Sequence, residues 1–271
     1  MSARPVAGLS EIAGGFDAIL FDQYGVLHDG RRAFPGAADA ARRAREAGLR
    51  AAVLSNSGKR AAANAERLAR LGFPSDLFDA VVTSGEACRA RLAADLASGD
   101  LAEGAAVFVV ARGAAEEALT GLPLQLAEAP GEAALVLIAG RAPERVSLEE
   151  DVARLAPLAA RGVPAFCANP DARMYADHGP APGPGALAQA YAAAGGAVTW
   201  FGKPHRPIFE AALGALGDPD PARVLMIGDS PDHDVAGAQA VGCATLLVTE
   251  GVQAGAAAAV APDFTIPRLV W

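Results

Sequence analysis

The sequence predicts an α/β protein: a doubly wound parallel-sheet core made from both ends of the chain, with a further α/β unit inserted between them. Three observations carry that fold class. Short apolar runs alternate with longer Ala-, Arg- and Leu-rich stretches, the strand–helix–strand–helix order expected of right-handed parallel crossovers. The helical stretches stop at glycines such as Gly48 and Gly72. Apolar residues make up 52% of the chain, enough to bury a substantial core.

The elements follow in order. DAILF (17–21) is the first strand, and PGAADAARRAREAG (35–48) is a helix with proline near its start. LRAAVLSN (49–56) is the second strand and KRAAANAERLARLG (59–72) the second helix. The inserted unit, 82–190, repeats the pattern with strands at AAVFVVA (105–111) and ALVLIA (134–139). Its helix SLEEDVARLAPLAARG (147–162) opens on Ser147, with Glu150 three residues on, and VPAFCAN (163–169) is another strand. The Pro/Gly-rich stretch NPDARMYADHGPAPGPGAL is expected to be a loop of about twenty residues, a length that usually marks a functional or mobile segment. Strands VTWFG (198–202), RVLMIGD (223–229) and CATLLVT (243–249), with helices HRPIFEAALGALG (205–217) and DVAGAQAVG (234–242), return to the core, which spans 1–81 and 191–271. GAAAAVA (255–261) reads as surface helix or coil.

Composition excludes several function classes. Acids outnumber bases 31 to 23, so the net charge of −8 disfavours non-specific binding to nucleic acid or to an anionic membrane. No window approaches the ~20 apolar residues of a membrane span, and the first residues lack the apolar segment of a signal peptide. Cys88, Cys167 and Cys243 are odd in number and far apart, which fits a reduced cytoplasm better than a disulfide framework.

Ligands of open α/β sheets bind beyond the carboxyl ends of the strands. Those ends carry Asp22, then Ser55 with Asn56 and Ser57, then Lys203, then GDSPDHD (228–234). Asp22 offers a carboxylate able to attack an electrophile or hold a metal. Ser55, Asn56 and Ser57 offer donors for an oxyanion. Lys203 offers a point charge in a chain whose only lysines are Lys59 and Lys203. Asp229 and Asp234 are hard oxygen ligands suited to Mg²⁺, whereas Asp232 reads as a turn residue. Together they make a phosphoryl-transfer centre, a reaction that needs mainly positioning and charge neutralisation. His28, His178, His205 and His233 have no metal-ligand spacing and read as solvated or satisfied, although His28 and His233 lie near the proposed site.

The four strand ends, in order, resemble the haloacid dehalogenase-like (HAD) hydrolase superfamily. Asp22 matches its first motif, Ser55 its second, Lys203 its third, and Asp229 with Asp234 its fourth. The stretches GVLHDGRRAFPGAADAARRAREAG, NPD, GPGALAQAYAAAGG, FGKPHRPIFEAAL and GDSPDHDVAGAQAVGCATLLVTEGV are similar to the class IIA subgroup of NagD-type, 4-nitrophenyl and pyridoxal phosphate phosphatases. That subgroup carries an α/β cap between the second and third motifs. The resemblance implies that Asp22 forms an aspartyl-phosphate, that Ser55 and Lys203 hold the phosphoryl group, and that Asn56 and Ser57 lend donors. Mg²⁺ is then expected on Asp22, Asp229 and the backbone carbonyl of Tyr24, with Asp234 supporting the metal or orienting Lys203. Asn169 to Asp171 are expected to face the substrate, a small phosphorylated metabolite, and relatives suggest a homodimer through the cap, for which the apolar strands within 105–139 are candidates.

One position departs from the pattern. Phosphatases of this superfamily carry a second Asp two residues after the nucleophile, as general acid and base, and here that position is Tyr24. With an unperturbed pKa near 10, tyrosine is a weak acid. Three readings are compatible with it. A phosphatase uses another group, such as His28, Asp29 or His233, or takes substrates with good leaving groups. A dehalogenase needs no such acid, since halide leaves unprotonated, but it also needs no metal. A binding protein keeps Asp22, Lys203 and Asp229 and turns its phosphorylated ligand over poorly or not at all. Substrate choice falls to cap residues, with Arg112, Arg141, Arg173 and Met174 candidates by position; Arg141 and Arg173 otherwise read as solvated surface arginines.

Overall fold

A computed structural model of the chain describes residues 3–113, 115–176, 179–251 and 260–271, without the side chains of residues 115 and 116. His178 and most of 255–261 lie outside the described residues. In chain order the strands are β1 (Arg4–Pro5), β2 (Ala18–Phe21), β3 (Arg50–Ser55), β4 (Ala80–Thr83), β5 (Ala106–Val110), β6 (Gln125–Leu126), β7 (Leu135–Ile138), β8 (Ala165–Cys167), β9 (Arg173–Ala176), β10 (Gly179–Pro182), β11 (Val198–Trp200), β12 (Val224–Gly228), β13 (Ala244–Val248) and β14 (Phe264–Ile266). The α-helices are α1 (Ala37–Glu46), α2 (Ala61–Arg70), α3 (Ser84–Ser98), α4 (Leu148–Ala160), α5 (Pro184–Ala193), α6 (Arg206–Ala215) and α7 (Ala236–Ala240).

The chain divides into two compact units: residues 1–55, 61–82 and 203–271, and residues 56–60 with 83–202. The first holds the sheet β1-β14-β13-β12-β2-β3-β4, in which the paired strands from β1 through β3 run parallel. Strand order reverses between β2 and β12. That is the switch point where open α/β sheets bind ligands.

Both faces of this sheet are buried. Ile19, Phe21, Val53 and Ile227 join α1 in one apolar cluster, while Leu20, Leu54 and Met226 join Ile208 and Phe209 of α6 in another. Alternate residues of one strand thus enter opposite layers, as the two-residue period of a strand requires. Helix α1 buries Ala37, Ala40, Ala41 and Ala44, a helical stripe of small side chains, and turns arginines outward.

The second unit holds the parallel sheet β11-β8-β7-β5-β6 and an antiparallel hairpin of β9 and β10. Ser147 caps α4 in a full capping box with Glu150. Three expectations need correction. The stretch after Asn169 is not one long loop: its middle pairs as the hairpin, and Pro184 starts α5. The strand expected over 198–202 with the returning core elements lies in the second sheet, paired with β8. Strand β4 and helix α3 lie where no element was expected. Thr83 caps α3 by accepting a hydrogen bond from the Glu86 amide at 3.1 Å, and a Thr followed by Glu three residues later was a legible start signal. No helix among the described residues is long and apolar enough to cross a membrane.

Candidate active site

Backbone pairing places the first two acids. The Asp22 amide donates to Ile227 O at 2.9 Å, so the ladder between β2 and β12 runs one residue past β2 and fixes Asp22 beside the start of the β12 turn. The chain then folds back tightly, with Gly25 N donating to His28 O and Leu27 N to Gln23 O. Gly25 has φ +102°, and a Cβ there would collide with the Asp229 carboxylate. A Cβ at Gly251 would strike Asp229 as well. Asp229 therefore sits in a cradle that two glycines leave open.

Asp234 arrives by a different route. The expected helix over 234–242 begins instead as a π-turn, Pro231–Val235, whose Ser230 side chain accepts from His233 N. Asp234 Oδ2 accepts from the Ser230 amide at 3.0 Å, which bends the carboxylate back toward the strand end. Gly228 makes room, since a Cβ there would meet the Asp234 side chain. Asp232, inside the same π-turn, is exposed.

Lys203 lies at the centre. Its ammonium donates to Asp22 Oδ1 at 2.5 Å and to Asp234 Oδ1 at 2.7 Å, and all three side chains are buried. Asp22, Asp229 and Asp234 each present an oxygen within 4.8 Å of the others. Burial opposes the charge on Lys203, but the two carboxylates outweigh it and hold the ammonium protonated. Three carboxylates against one ammonium leave an excess of negative charge. Burial, with Asp234 and Asp229 alongside and Lys203 opposing, pushes the Asp22 carboxyl well above the usual carboxylate range. A hard divalent cation on this all-oxygen donor set would relieve the excess, so the residues present fit such an ion.

Ser55 ends β3 in the same unit, buried, while Asn56 and Ser57 belong to the second unit. There Asn56 Nδ2 donates to Asp171 Oδ1 at 2.8 Å. Asn169 Oδ1 accepts from the Asp171 amide at 3.0 Å. The segment 56–60 is bound to its unit by Gly85 N donating to Ser57 O, Thr83 Oγ1 donating to Lys59 O, and a bidentate pair of Arg60 with Glu86.

The groups offered in place of the missing acid separate clearly. His28 is 1% exposed; its Nδ1 accepts from Gly30 N at 3.0 Å and its Nε2 faces Gln23 Oε1 at 3.4 Å. Burial then lowers its pKa to about 4, so it is a satisfied histidine. Asp29 Oδ1 accepts from the amides of Arg31 and Arg32, which hold its pKa down and make it a poor proton donor. His233 is part-exposed and adjoins Asp234. Tyr24 is 39% exposed and stands edge-on to His28.

Among the cap arginines, Arg141 is not at the surface. It is fully buried, with Nε donating to Asp151 Oδ2 at 2.7 Å and its other nitrogens donating to Pro182 O and Val146 O. An isolated buried guanidinium would be costly, so its partners make it a structural tie between α4 and the hairpin. Arg112 pairs with Glu144, and Arg173 is exposed.

Comparison with known proteins agrees with this geometry. Residues 19–125 match the family described as haloacid dehalogenase-like hydrolase, and residues 200–271 one described as HAD-hydrolase-like. Chronophin of Mus musculus is 32% identical over 260 residues, covering 91% of this chain and 85% of chronophin. A solved hydrolase of the haloacid dehalogenase-like family from Brucella suis 1330 is 32% identical with a TM-score of 0.86, over 98% of this chain and 100% of that one. The glycerol phosphate phosphatase of Mycobacterium tuberculosis, solved in complex with magnesium, is 28% identical with a TM-score of 0.68, over 93% of this chain and 71% of that one. With its parallel-sheet core, inserted α/β unit and full-length similarity to these proteins, the chain belongs to the haloacid dehalogenase-like hydrolase superfamily and is a phosphatase of its class IIA subgroup.

Proposed function

We propose that the protein is a Mg²⁺-dependent hydrolase of small phosphorylated metabolites, in the size range of glycerol phosphate, working through an aspartyl-phosphate on Asp22. The observation that carries this reading is the buried Lys203 ammonium shared between Asp22 and Asp234 beside Asp229. Asp22, Asp229, Asp234 and the backbone carbonyl of Tyr24 are the groups that would hold the metal. The magnesium bound to the similar glycerol phosphate phosphatase supports that choice of ion. When bound, Mg²⁺ supplies positive charge that offsets the repulsion between an anionic nucleophile and an anionic phosphate.

The chain's own residues account for the rest. An Asp22 oxygen forms the new P–O bond while the bond from phosphorus to the leaving oxygen breaks. Lys203 stays charged through its second partner, Asp234, so it can turn from Asp22 toward the phosphoryl oxygens. Ser55, Asn56 and Ser57 donate to those oxygens, and water later cleaves the acyl phosphate. Tyr24 stands where the second Asp is usual, so this centre favours leaving groups that depart with little proton transfer. A homodimer through the second unit, where β6 is an edge strand, belongs to the same reading, and sedimentation tests it.

The test is steady-state hydrolysis of para-nitrophenyl phosphate, with Mg²⁺ and with excess chelator, beside Asp22→Asn. Metal-dependent turnover that vanishes in the variant is expected. Turnover unaffected by chelator would remove the metal from the proposed chemistry. No turnover, with phosphate still bound, would replace the hydrolase with a binding protein.

A further inference from the structure

We infer that Asp171 is a positioning residue: it fixes the Asn56 carboxamide, and with it the segment 56–60 to which the proposed function assigns phosphoryl binding. This rests on the phosphatase reading above and assigns to Asp171 a role other than contact with substrate. Its carboxylate accepts a hydrogen bond from the Asn56 side chain within the same unit.

A carboxylate only accepts, so the 2.8 Å contact fixes which end of the Asn56 amide faces Asp171: the nitrogen. The contact therefore sets the orientation of the Asn56 side chain. A hydrogen bond to an ionised acceptor is also stronger than a neutral one.

Asp171 is itself held from several sides. Its amide donates to Asn169 Oδ1, and its carbonyl accepts from Gly185 N at 3.0 Å. Glycines at 183 and 185 let the turn approach closely, since a Cβ at Gly183 would meet Asp171 O and one at Gly185 would meet Pro170 O. The NPD turn therefore presents a rigid acceptor. The segment it grips is anchored again by Arg60 with Glu86 and by Thr83 with Lys59 O. Ser55, one residue earlier, belongs to the other unit, so Asn56 is the first donor whose placement depends on these ties.

The test is a double-mutant cycle on turnover of para-nitrophenyl phosphate with Mg²⁺, adding the inhibition constant of inorganic phosphate and a thermal melt for each protein. Asp171→Ala should raise KM and the phosphate inhibition constant about 5- to 10-fold with a smaller change in kcat, the worth of one such hydrogen bond. Asp171→Asn keeps an acceptor oxygen and should recover most of that loss. Added to Asn56→Ala, Asp171→Ala should cost little more. If Asp171→Ala fails to fold, Asp171→Ser, too short to reach Asn56, takes its place. Additive effects in the cycle would overturn the inference, as would unchanged phosphate inhibition. A kcat collapse that Asp171→Asn does not repair would also overturn it, and would make Asp171 a group that touches substrate. Absence of turnover in the unmodified protein would instead overturn the phosphatase reading.

Discussion

His28 makes the folded protein sensitive to mild acid, and the size of the effect follows from its contacts. Its Nδ1 accepts from the Gly30 amide, so in the native state the proton sits on Nε2, facing Gln23 Oε1. A second proton would have to enter at Nδ1, against an N–H already pointing there, in a site 1% exposed. Burial, with Arg67 nearby, accordingly lowers the pKa from 6.5 to about 4. The unfolded chain binds that proton near pH 6.5 and the folded one only near 4, so between these values the unfolded state holds more protons. Stability therefore rises with pH across this window and is lost as pH falls through it. At pH 4.5 the loss from this one group is about 2.5 kcal/mol relative to neutral pH. Urea denaturation of the unmodified protein and of His28→Asn, at pH 7.0, 5.5 and 4.5, isolates it, because other titrations cancel in the difference. At pH 7 the variant should be the less stable by about 1–2 kcal/mol, having lost buried packing and hydrogen bonds. By pH 4.5 the gap should close or reverse. A difference that stays constant across the three pH values would refute the reasoning.

Three further outcomes follow. Lys203→Met leaves buried carboxylates without their cation; in chelator it should lose about 3–5 kcal/mol of stability by denaturant titration, with turnover down at least about 100-fold. Gly25→Ala forces a left-handed residue to carry a Cβ into the Asp229 carboxylate; calorimetry should show Mg²⁺ affinity down about tenfold or more, with about 1–3 kcal/mol of strain, and unchanged Mg²⁺ binding would contradict the cradle. Tyr24→Asp should raise kcat on an alkyl phosphate about 10²-fold or more while changing para-nitrophenyl phosphate little. Equal effects on both substrates would show that proton supply is not what Tyr24 limits.

Much was legible in the chain alone. Continuous apolar runs ending in Asp22, Ser55 and Asp229 identified strands and the chemistry at their ends, because a polar residue just past a buried strand is placed by backbone geometry within a residue or two. Ser147 with Glu150 marked a helix start for the same local reason. Tyr24 stood out by its position relative to Asp22, with no coordinates needed.

Other features are properties of the folded chain. Which sheet a strand joins depends on partners far away, so the sequence places Val198–Trp200 with the core whereas its pairing with β8 puts it in the second sheet. Glycine and proline in the stretch after Asn169 mark breaks but do not say whether two arms pair, and β9 and β10 do. The burial of Arg141 depends on Asp151 and two distant carbonyls, which no window around it reveals. The meeting of Lys203 with Asp22 and Asp234, and of Asn56 with Asp171, likewise spans long separations. Sequence alone determined the fold class and the residue types at each strand end, because both rest on local periodicity. Only the tertiary structure decided which charges share a buried site and which side chains merely hold it in place, because Coulomb and hydrogen-bond energies depend on distances that close when the sheets form.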